Sequence, residues 1–310
     1  MLLRPDVLVL GGGGVLGEAW MMGLLAGIED GSELDLRECE QFVGTSAGAI
    51  VAAHLHAGKS PRRPKAIPDR DQPASAQPAE RLAAAGFSAA RRMGSVAWSA
   101  AAAFAPLALG VAAPGGAVMR AAMLRRLPTP RQSLDGLERH VGQAGAIFDG
   151  RLRVVAVDRR SGRRVVFGER GAPTADVAQA VSASCTVPWL FAPVQIGGRE
   201  YVDGGVWSPT NLDVAPAGHG ASVVCLDPTA SIVGSHRLIA LLRNVTRAAA
   251  SVEARVLRRR GAEVRTVAPN RESAGAMGSN LMDSEPRERV LAAAYRQGIA
   301  LALSSETTGR

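Results

Sequence analysis

The order of apolar and polar residues along the first part of the chain predicts alternating strands and helices. Val7–Leu10 is a continuous apolar run, typical of a strand buried on both faces. It leads through a glycine-rich loop into an amphipathic helix from about Glu18 to Glu29. A second apolar run, roughly Gln41–Val43, precedes an Ala- and Val-rich segment, Ala49–His54. Strand, loop and helix in this order predict a parallel α/β fold.

The same alternation resumes after residue 150. The predicted strands are Leu152–Val157, Arg164–Phe167, Val194–Ile196, Glu200–Val202, Val223–Leu226 and Ala262–Val267. The predicted helices run from a Thr174 cap to Ser182, from Ser235 through apolar positions as far as Val256, and from Glu285 to Leu303. Thr174 starts a Thr-x-x-Val sequence, so no complete capping box is expected there. The absence of a repeat or a second core predicts one domain over residues 1–310.

The region between these two halves, residues 60–126, differs from them in composition. Residues 60–78 hold five prolines among Arg, Asp and Gln, which predicts a linker. Residues 79–126 are predicted to be an apolar helical insertion. Within it, Val96–Met119 is long enough to span a bilayer, but several Pro and Gly residues interrupt it, so two short helices fit better. The two alternatives for this insertion are a lid or interfacial cap flanked by arginines, and plain cover for the core.

Composition narrows the classes of function. The chain is 47% hydrophobic and 21% charged, as in a soluble globular protein, and its net charge is +8. Lys59 and Lys65 are its only lysines, so the positive charge is almost all arginine. Aromatic residues make up only 4%, too few for stacking on single-stranded nucleic acid, so no nucleic-acid partner is expected. The positive charge admits peripheral contact with an anionic membrane surface.

The N-terminus and the cysteines give no sign of export or of metal binding. Residues 1–10 resemble a first strand and not a signal peptide, so a cytoplasmic location is expected, with peripheral membrane contact as an option. Cys39, Cys185 and Cys225 are far apart and odd in number, which supports neither a disulfide framework nor a zinc site.

The glycine loop after the first strand has two possible interpretations. Gly12, Gly14 and Gly17 satisfy the G-x-G-x-x-G pattern of dinucleotide-binding folds. That site needs a second strand ending in an acidic residue, whereas here the second strand ends in Gly-Thr-Ser. No Gly-Lys-Ser or Gly-Lys-Thr follows the loop, which excludes a P-loop. The other interpretation is a loop that offers backbone N–H groups to an oxyanion.

The pentapeptide Gly44–Gly48 has the G-x-S-x-G form of a nucleophile elbow. Its small residues allow a sharp turn between strand and helix, which leaves the Ser46 hydroxyl exposed at a helix N-terminus. The free N–H groups and the dipole of that helix favour developing negative charge. Ser46 is therefore a candidate nucleophile for acyl transfer.

The proton acceptor for such a serine is either a histidine or a carboxylate. His54 and His56 lie about two turns along the helix that follows Ser46, too far to reach the hydroxyl. His219 or His236 would complete the Ser-Asp-His order of an α/β-hydrolase, but in that fold several strands precede the elbow. Asp203, at a strand end before two glycines, needs only one short hydrogen bond to form a Ser-Asp dyad.

These motifs together resemble the patatin-like phospholipases. The resemblance covers roughly residues 5–58 and 150–228, with Gly-Gly-Gly-x-x-Gly first, then Gly-x-Ser-x-Gly, and Asp-Gly-Gly late. Three further segments are also similar to that family: Ser184–Pro188, Phe191–Pro193 and Ser208–Asn211. The linker and the apolar insertion are not matched.

The resemblance implies a three-layer α/β/α lipid acyl hydrolase with a mostly parallel sheet and no metal or organic cofactor. Ser46 would be the nucleophile, Asp203 its base, and Gly12, Gly13 and Gly14 the oxyanion hole. Leu16 stands where the family usually has Arg or Lys, which favours a neutral ester or a lysolipid over a phospholipid. The alternatives are a lipid acyltransferase that uses the same acyl-serine, and a catalytically silent lipid-binding protein of the same fold.

Overall fold

A computed structural model describes residues 4–67, 116–231 and 237–307. Its strands follow the apolar runs of the sequence closely. They are β1 (Val7–Leu10), β2 (Gln41–Thr45), β3 (Leu152–Asp158), β4 (Arg164–Phe167), β5 (Val194–Ile196), β6 (Arg199–Asp203), β7 (Ser222–Leu226) and β8 (Glu263–Val267). Each predicted strand is confirmed, with ends that move by one or two residues.

The described residues also form eight α-helices. They are α1 (Gly14–Asp30), α2 (Ala47–His56), α3 (Gly116–Arg126), α4 (Asp135–Ala144), α5 (Val177–Cys185), α6 (Arg237–Arg259), α7 (Arg271–Met277) and α8 (Arg287–Thr307). Short 3-10 helices lie at Leu36–Glu38, Gly204–Val206, Leu212–Val214 and Pro228–Ser231.

The strands form one sheet with the order β5-β6-β3-β2-β1-β7-β8, and β4 also pairs with β3. The five strands from β3 to β8 along this order are parallel, as expected where helices connect successive strands. The pairs of β3 with β4, of β3 with β6 and of β5 with β6 are antiparallel. This mostly parallel sheet with flanking helices confirms the predicted α/β class.

Strand β3 brings two other strands end to end. Along one of its edges it pairs first with β2, whose Thr45 lies opposite Val155, and then with β6, whose Asp203 lies opposite Ala156. Its other edge carries β4. Because β2 runs parallel to β3 and β6 runs antiparallel, the carboxyl ends of β2 and β6 meet at consecutive positions. This junction is where the candidate site lies.

Apolar side chains cover both faces of the sheet. The larger core packs α1, α2, α5 and α8 against one face, and it includes the buried Trp20, Phe42 and Phe167. The opposite face is covered by α6 through Ala254 and Leu257, and by α3, whose Leu124 packs on Val157 and Val202. Burial of these side chains is the main favourable contribution to folding.

Two helix starts differ from the sequence-based expectation. Helix α1 begins at Gly14 and not near Glu18, because the glycine loop itself turns into the first helical residues. Helix α5 is capped by Asp176 and not by Thr174. The Asp176 carboxylate accepts from the Gln179 N–H while the Gln179 side chain accepts from the Asp176 N–H, a complete capping box.

The predicted linker and insertion are described only in part. Residues 60–67, at the start of the predicted linker, contain no helix or strand, and α3 lies at the end of the predicted insertion. The rest of the predicted linker and insertion, 68–115, lies outside the described residues. None of the described helices combines the length and the apolar character that crossing a bilayer requires.

Candidate active site

Ser46 occupies a strained turn between β2 and α2. Its φ of 52° and ψ of −121° lie in a region that side-chain-bearing residues rarely adopt. The flanking glycines are required by close contact: a Cβ atom at Gly48 would lie 1.9 Å from the Leu10 carbonyl oxygen. One at Gly44 would lie 2.4 Å from the Ala49 Cα. The pentapeptide therefore forms the sharp elbow that its sequence predicts.

Asp203 meets Ser46 across the junction of β2 and β6. The Ser46 hydroxyl donates to Asp203 Oδ2 at 2.7 Å, although the two residues are 157 positions apart in the chain. The other carboxylate oxygen accepts from the Gly205 N–H at 2.6 Å. The Asp203 N–H donates to the Thr186 carbonyl oxygen at 2.9 Å, which ties the end of β6 to the end of α5. The structure thus brings the two predicted dyad residues into direct contact.

The environment of Asp203 makes its carboxylate unusually basic. Burial raises the pKa of this carboxyl to about 6, while hydrogen bonds from Ser46 and Gly205 act in the opposite direction. Desolvation disfavours the charged form of a carboxyl group, which is the physical cause of the rise. At neutral pH the group is still mostly ionised, and it is a stronger proton acceptor than an exposed aspartate.

The glycine loop borders Ser46. A Cβ atom at Gly12 would lie 3.4 Å from the Ser46 Cβ. The Gly12 N–H donates to the Pro209 carbonyl oxygen at 2.8 Å. The assignment of Gly12, Gly13 and Gly14 to an oxyanion hole stays a prediction. Gly14, with φ of 60°, begins α1, and Gly13 precedes it as the N-cap.

Two residues of α5 that were not assigned a role from the sequence border the dyad. The buried Ser184 hydroxyl accepts from the Ser46 N–H at 2.8 Å and donates to the Val155 carbonyl oxygen at 2.6 Å. Burial, and next the Asp203 carboxylate, raise the pKa of the Cys185 thiol well above its ordinary value. Cys185 therefore stays a neutral thiol. No local sequence signal indicates these contacts, since they join segments far apart in the chain.

The described histidines lie away from Ser46. The rings of His54 and His140 pack edge to face with centroids 5.4 Å apart, and His56 contacts Asp149. His140 lies within α4. His219 is exposed in the turn that leads into β7, at the opposite edge of the sheet from Ser46. His236 lies outside the described residues.

The described residues include no group of three or more His, Cys, Asp or Glu side chains placed to hold a metal ion. Leu16, which stands at the position usually basic in the resembled family, lies in α1 and is fully buried in the core. Its N–H donates to the Leu281 carbonyl oxygen. Its side chain is therefore part of the packing and does not contact solvent.

Comparisons with known proteins identify a family for this chain. A family model described as patatin-like phospholipase matches residues 8–216, more than half of the chain. Among solved structures, VipD from Legionella pneumophila is similar, with 15% identity, a TM-score of 0.45, and coverage of 97% of this chain and 67% of VipD. The type III effector protein ExoU is similar with 19% identity, a TM-score of 0.39 and coverage of 97% of this chain.

The chain spans about half of the ExoU chain, 53%. No curated protein matches in sequence. The region matched by the family model begins in β1 and ends just after the 3-10 helix Leu212–Val214, so it contains the glycine loop, Ser46 and Asp203. The chain belongs to the patatin-like phospholipase family, a family of lipid acyl hydrolases.

Proposed function

We propose that this protein hydrolyses carboxylic esters of lipids through an acyl-serine intermediate, with Ser46 as nucleophile and Asp203 as its base. The observation that carries the proposal is the 2.7 Å hydrogen bond from the Ser46 hydroxyl to the buried Asp203 carboxylate. A serine hydroxyl becomes nucleophilic when a base within hydrogen-bond reach accepts its proton. Asp203 is positioned and basic enough for that role.

The reaction then follows in two balanced steps. Ser46 Oγ forms a bond to the ester carbonyl carbon while its proton moves to Asp203 Oδ2, and collapse of the tetrahedral intermediate breaks the bond to the alcohol. The departing alkoxide takes the proton from Asp203. Water then attacks the acyl-serine, gives a proton to Asp203, and the fatty acid leaves as Ser46 recovers its proton.

The negative oxygen of the tetrahedral intermediate needs donors beside Ser46. We assign this role to the N–H groups of Gly13 and Gly14, because the Gly12 N–H is bound to Pro209. The N-terminus of α2, which begins directly after Ser46, adds the positive end of a helix dipole. Preorganised donors of this kind supply a large share of catalysis in acyl transfer.

The substrate that fits these features best is a neutral ester lipid or a lysolipid. The loop position that is basic in many relatives is Leu16 here, and its side chain lies in the core. It therefore gives no charge to a phosphate near the glycine loop. Transfer of the same acyl group to another alcohol, and lipid binding without catalysis, are the alternative functions.

Release of fatty acid from a lysolipid and from a short-chain ester tests the proposal. Ser46→Ala should lower both rates about 10⁴-fold or more while the circular dichroism spectrum is unchanged. Ser251→Ala, a change in an exposed serine of α6, is the matched control and should keep the wild-type rate. Wild-type activity in Ser46→Ala would contradict the mechanism.

Two further results separate the alternatives. Acyl transfer would appear as an acylated product when an alcohol acceptor is added, at the expense of free fatty acid. A silent binding protein would bind lipid and give no product in either assay.

We also propose that α3 meets the membrane. Val118 and Met119 are 71% and 55% exposed on this helix, and Arg125 and Arg126 are exposed nearby. The helix packs through Leu124 beside Val202, next to Asp203. Apolar side chains flanked by arginines suit a surface of anionic lipid.

The arginines at the end of α6 lie at the opposite edge of the sheet from Ser46. Helix α6 connects the end of β7 to the start of the parallel β8, so it ends at the edge where the strands begin.

Substitution of both apolar side chains tests this contact. Val118→Ser with Met119→Ser should weaken hydrolysis on anionic vesicles about 100-fold, because two apolar side chains would no longer be buried in lipid, and leave a soluble short-chain ester unaffected. Ile147→Ser is the control, since Ile147 is 65% exposed in the loop before β3, away from Ser46. Equal losses on vesicles and on the soluble ester would contradict the contact.

A further inference from the structure

Asn211 lies directly beneath the junction that carries the dyad. It is fully buried, and its backbone is in the left-handed region with φ of 47° and ψ of 36°. We propose that Asn211 is a positioning residue that ties the Ser46 end of β2 to the Asp203 end of β6. This inference rests on the proposed serine mechanism and adds to it a residue that does not touch the substrate.

The hydrogen bonds fix the orientation of the Asn211 amide. Arg164 Nη1 donates to Asn211 Oδ1 at 3.2 Å. An arginine has donors only, so the oxygen of the amide must face Arg164 and its nitrogen must face the other way. The nitrogen donates to Ser208 O at 2.7 Å, to Thr45 Oγ1 at 3.1 Å and to Gly204 O at 3.3 Å.

Two of these acceptors belong to the neighbours of the dyad residues. Thr45 is the last residue of β2 and precedes Ser46, while Gly204 follows Asp203. Strands β2 and β6 are each paired with β3 and with a different outer neighbour, β1 and β5. The Asn211 amide group therefore hydrogen-bonds both to the end of β2, next to Ser46, and to the residue after β6, next to Asp203.

Asn211 is itself rigidly mounted. Its own N–H donates to Ser208 Oγ at 3.2 Å. The residues on either side are held by Glu253 of α6, which accepts from the Thr210 hydroxyl at 2.6 Å and from the Leu212 N–H at 2.8 Å. Arg164 is held in turn by a bidentate ion pair with Asp213, with both contacts at 2.7 Å. Because its backbone and its amide oxygen are both held, the Asn211 side chain keeps a defined position relative to Thr45 and Gly204.

The consequence for the reaction is specific. Proton transfer from Ser46 needs Asp203 to stay within hydrogen-bond distance, and a displacement of about 1 Å in such a pair can cost about 100-fold in rate. Because Asn211 is buried, its loss should lower kcat and leave KM nearly unchanged. A role limited to backbone shape would be satisfied by glycine, which adopts the left-handed conformation freely.

The choice of variants separates these two roles. Asn211→Gly and Asn211→Ala should both lower kcat on a short-chain ester about 10- to 100-fold with KM within about threefold. Thr45→Val, which removes only one acceptor, should lower kcat less, and Thr45→Ser, which restores the hydroxyl, should recover most of it. Ser273→Ala breaks a buried hydrogen bond to Gln297 between α7 and α8, away from the dyad, so it should lower the melting temperature and keep kcat.

Two results would overturn the inference: wild-type kcat in Asn211→Gly, or a loss of kcat in Ser273→Ala as large as in Asn211→Gly. Failure of the serine mechanism itself would appear differently, as hydrolysis that persists in Ser46→Ala. The three outcomes are thus distinguishable in one set of assays.

Discussion

The two strand ends that carry the dyad are built in different ways. At the end of β2, five consecutive residues set the position of Ser46 by steric contact, since Gly44 and Gly48 touch neighbouring backbone and Ser46 adopts a strained conformation. At the end of β6, the position of Asp203 depends on hydrogen bonds. Its partners come from β2, from the end of α5 and from the turn at Gly205.

This difference indicates how each half should fail. Ser46 is held mainly by shape, so added volume should displace it. Asp203 is buried and held by polar contacts, so changes of charge or hydrogen bonding should impair its proposed role while packing remains. Three predictions test this comparison, in order of decreasing effect.

The largest effect is expected from neutralising the base. Asp203→Asn should lower kcat about 10³-fold at pH 8, because an amide does not accept the Ser46 proton. Asp227→Asn is the matched control: Asp227 is equally buried at the end of β7, burial also raises the pKa of its carboxyl, and it bonds to Thr229 and not to Ser46. In steady-state hydrolysis, the kcat of Asp227→Asn should stay within about threefold of wild type, because Asp227 does not contact the reacting atoms. Equal losses in both variants would remove Asp203 from its assigned role.

The next effect concerns the elbow. Gly48→Ala would place a methyl group 1.9 Å from the Leu10 carbonyl oxygen, so it should destabilise the protein by about 3 kcal/mol or more through overpacking. Gly136→Ala, within α4 where an added Cβ meets nothing within 4 Å, should instead stabilise by about 0.5–1 kcal/mol. Thermal unfolding measures both changes. An unchanged melting temperature for Gly48→Ala would show that shape does not hold the nucleophile.

The smallest effect is the loss of folding stability that results from keeping the buried Asp203 carboxylate charged. The pKa of this carboxyl is about 6 in the folded protein and 3.8 ordinarily, so the folded state binds more protons than the unfolded state between these values. Stability of the wild type should therefore fall as pH rises from about 4 to 6 and stay lower above it. Asp203→Asn should be more stable than wild type at pH 8 by up to about 3 kcal/mol, a difference that vanishes near pH 4. A stability difference independent of pH would contradict this.

The sequence alone predicted the elements that depend on contacts between residues close together in the chain. Continuous apolar runs located β1, β3 and β7, because strands buried on both faces need apolar residues throughout. Ser46 and Asp203 became candidates for a similar reason, since each lies in a short motif whose small residues define a turn. The start of α5 was missed because two later residues, Asp176 and Gln179, satisfy its first N–H groups better than Thr174 does.

Contacts between distant segments could not be predicted in the same way. Ser184 reaches Ser46 across 138 positions, and Asn211 reaches Thr45 across 166. Both contacts require knowing that β2 and β6 share one edge of β3, a register that no single stretch of sequence specifies. The acceptor of the Gly12 N–H could not be predicted for the same reason, because Pro209 comes from a segment far along the chain.

The most direct test of the central claim is the rate at which a fluorophosphonate probe labels the protein as a function of pH, with the modified residue identified by mass spectrometry. A Ser46–Asp203 dyad predicts labelling of Ser46, with a rate that rises as pH increases through about 6 because Asp203 must be ionised to accept the proton. Asp203→Asn should show almost no labelling at any pH. Labelling of a different residue, or equal rates in Asp203→Asn and wild type, would contradict the Ser46–Asp203 dyad.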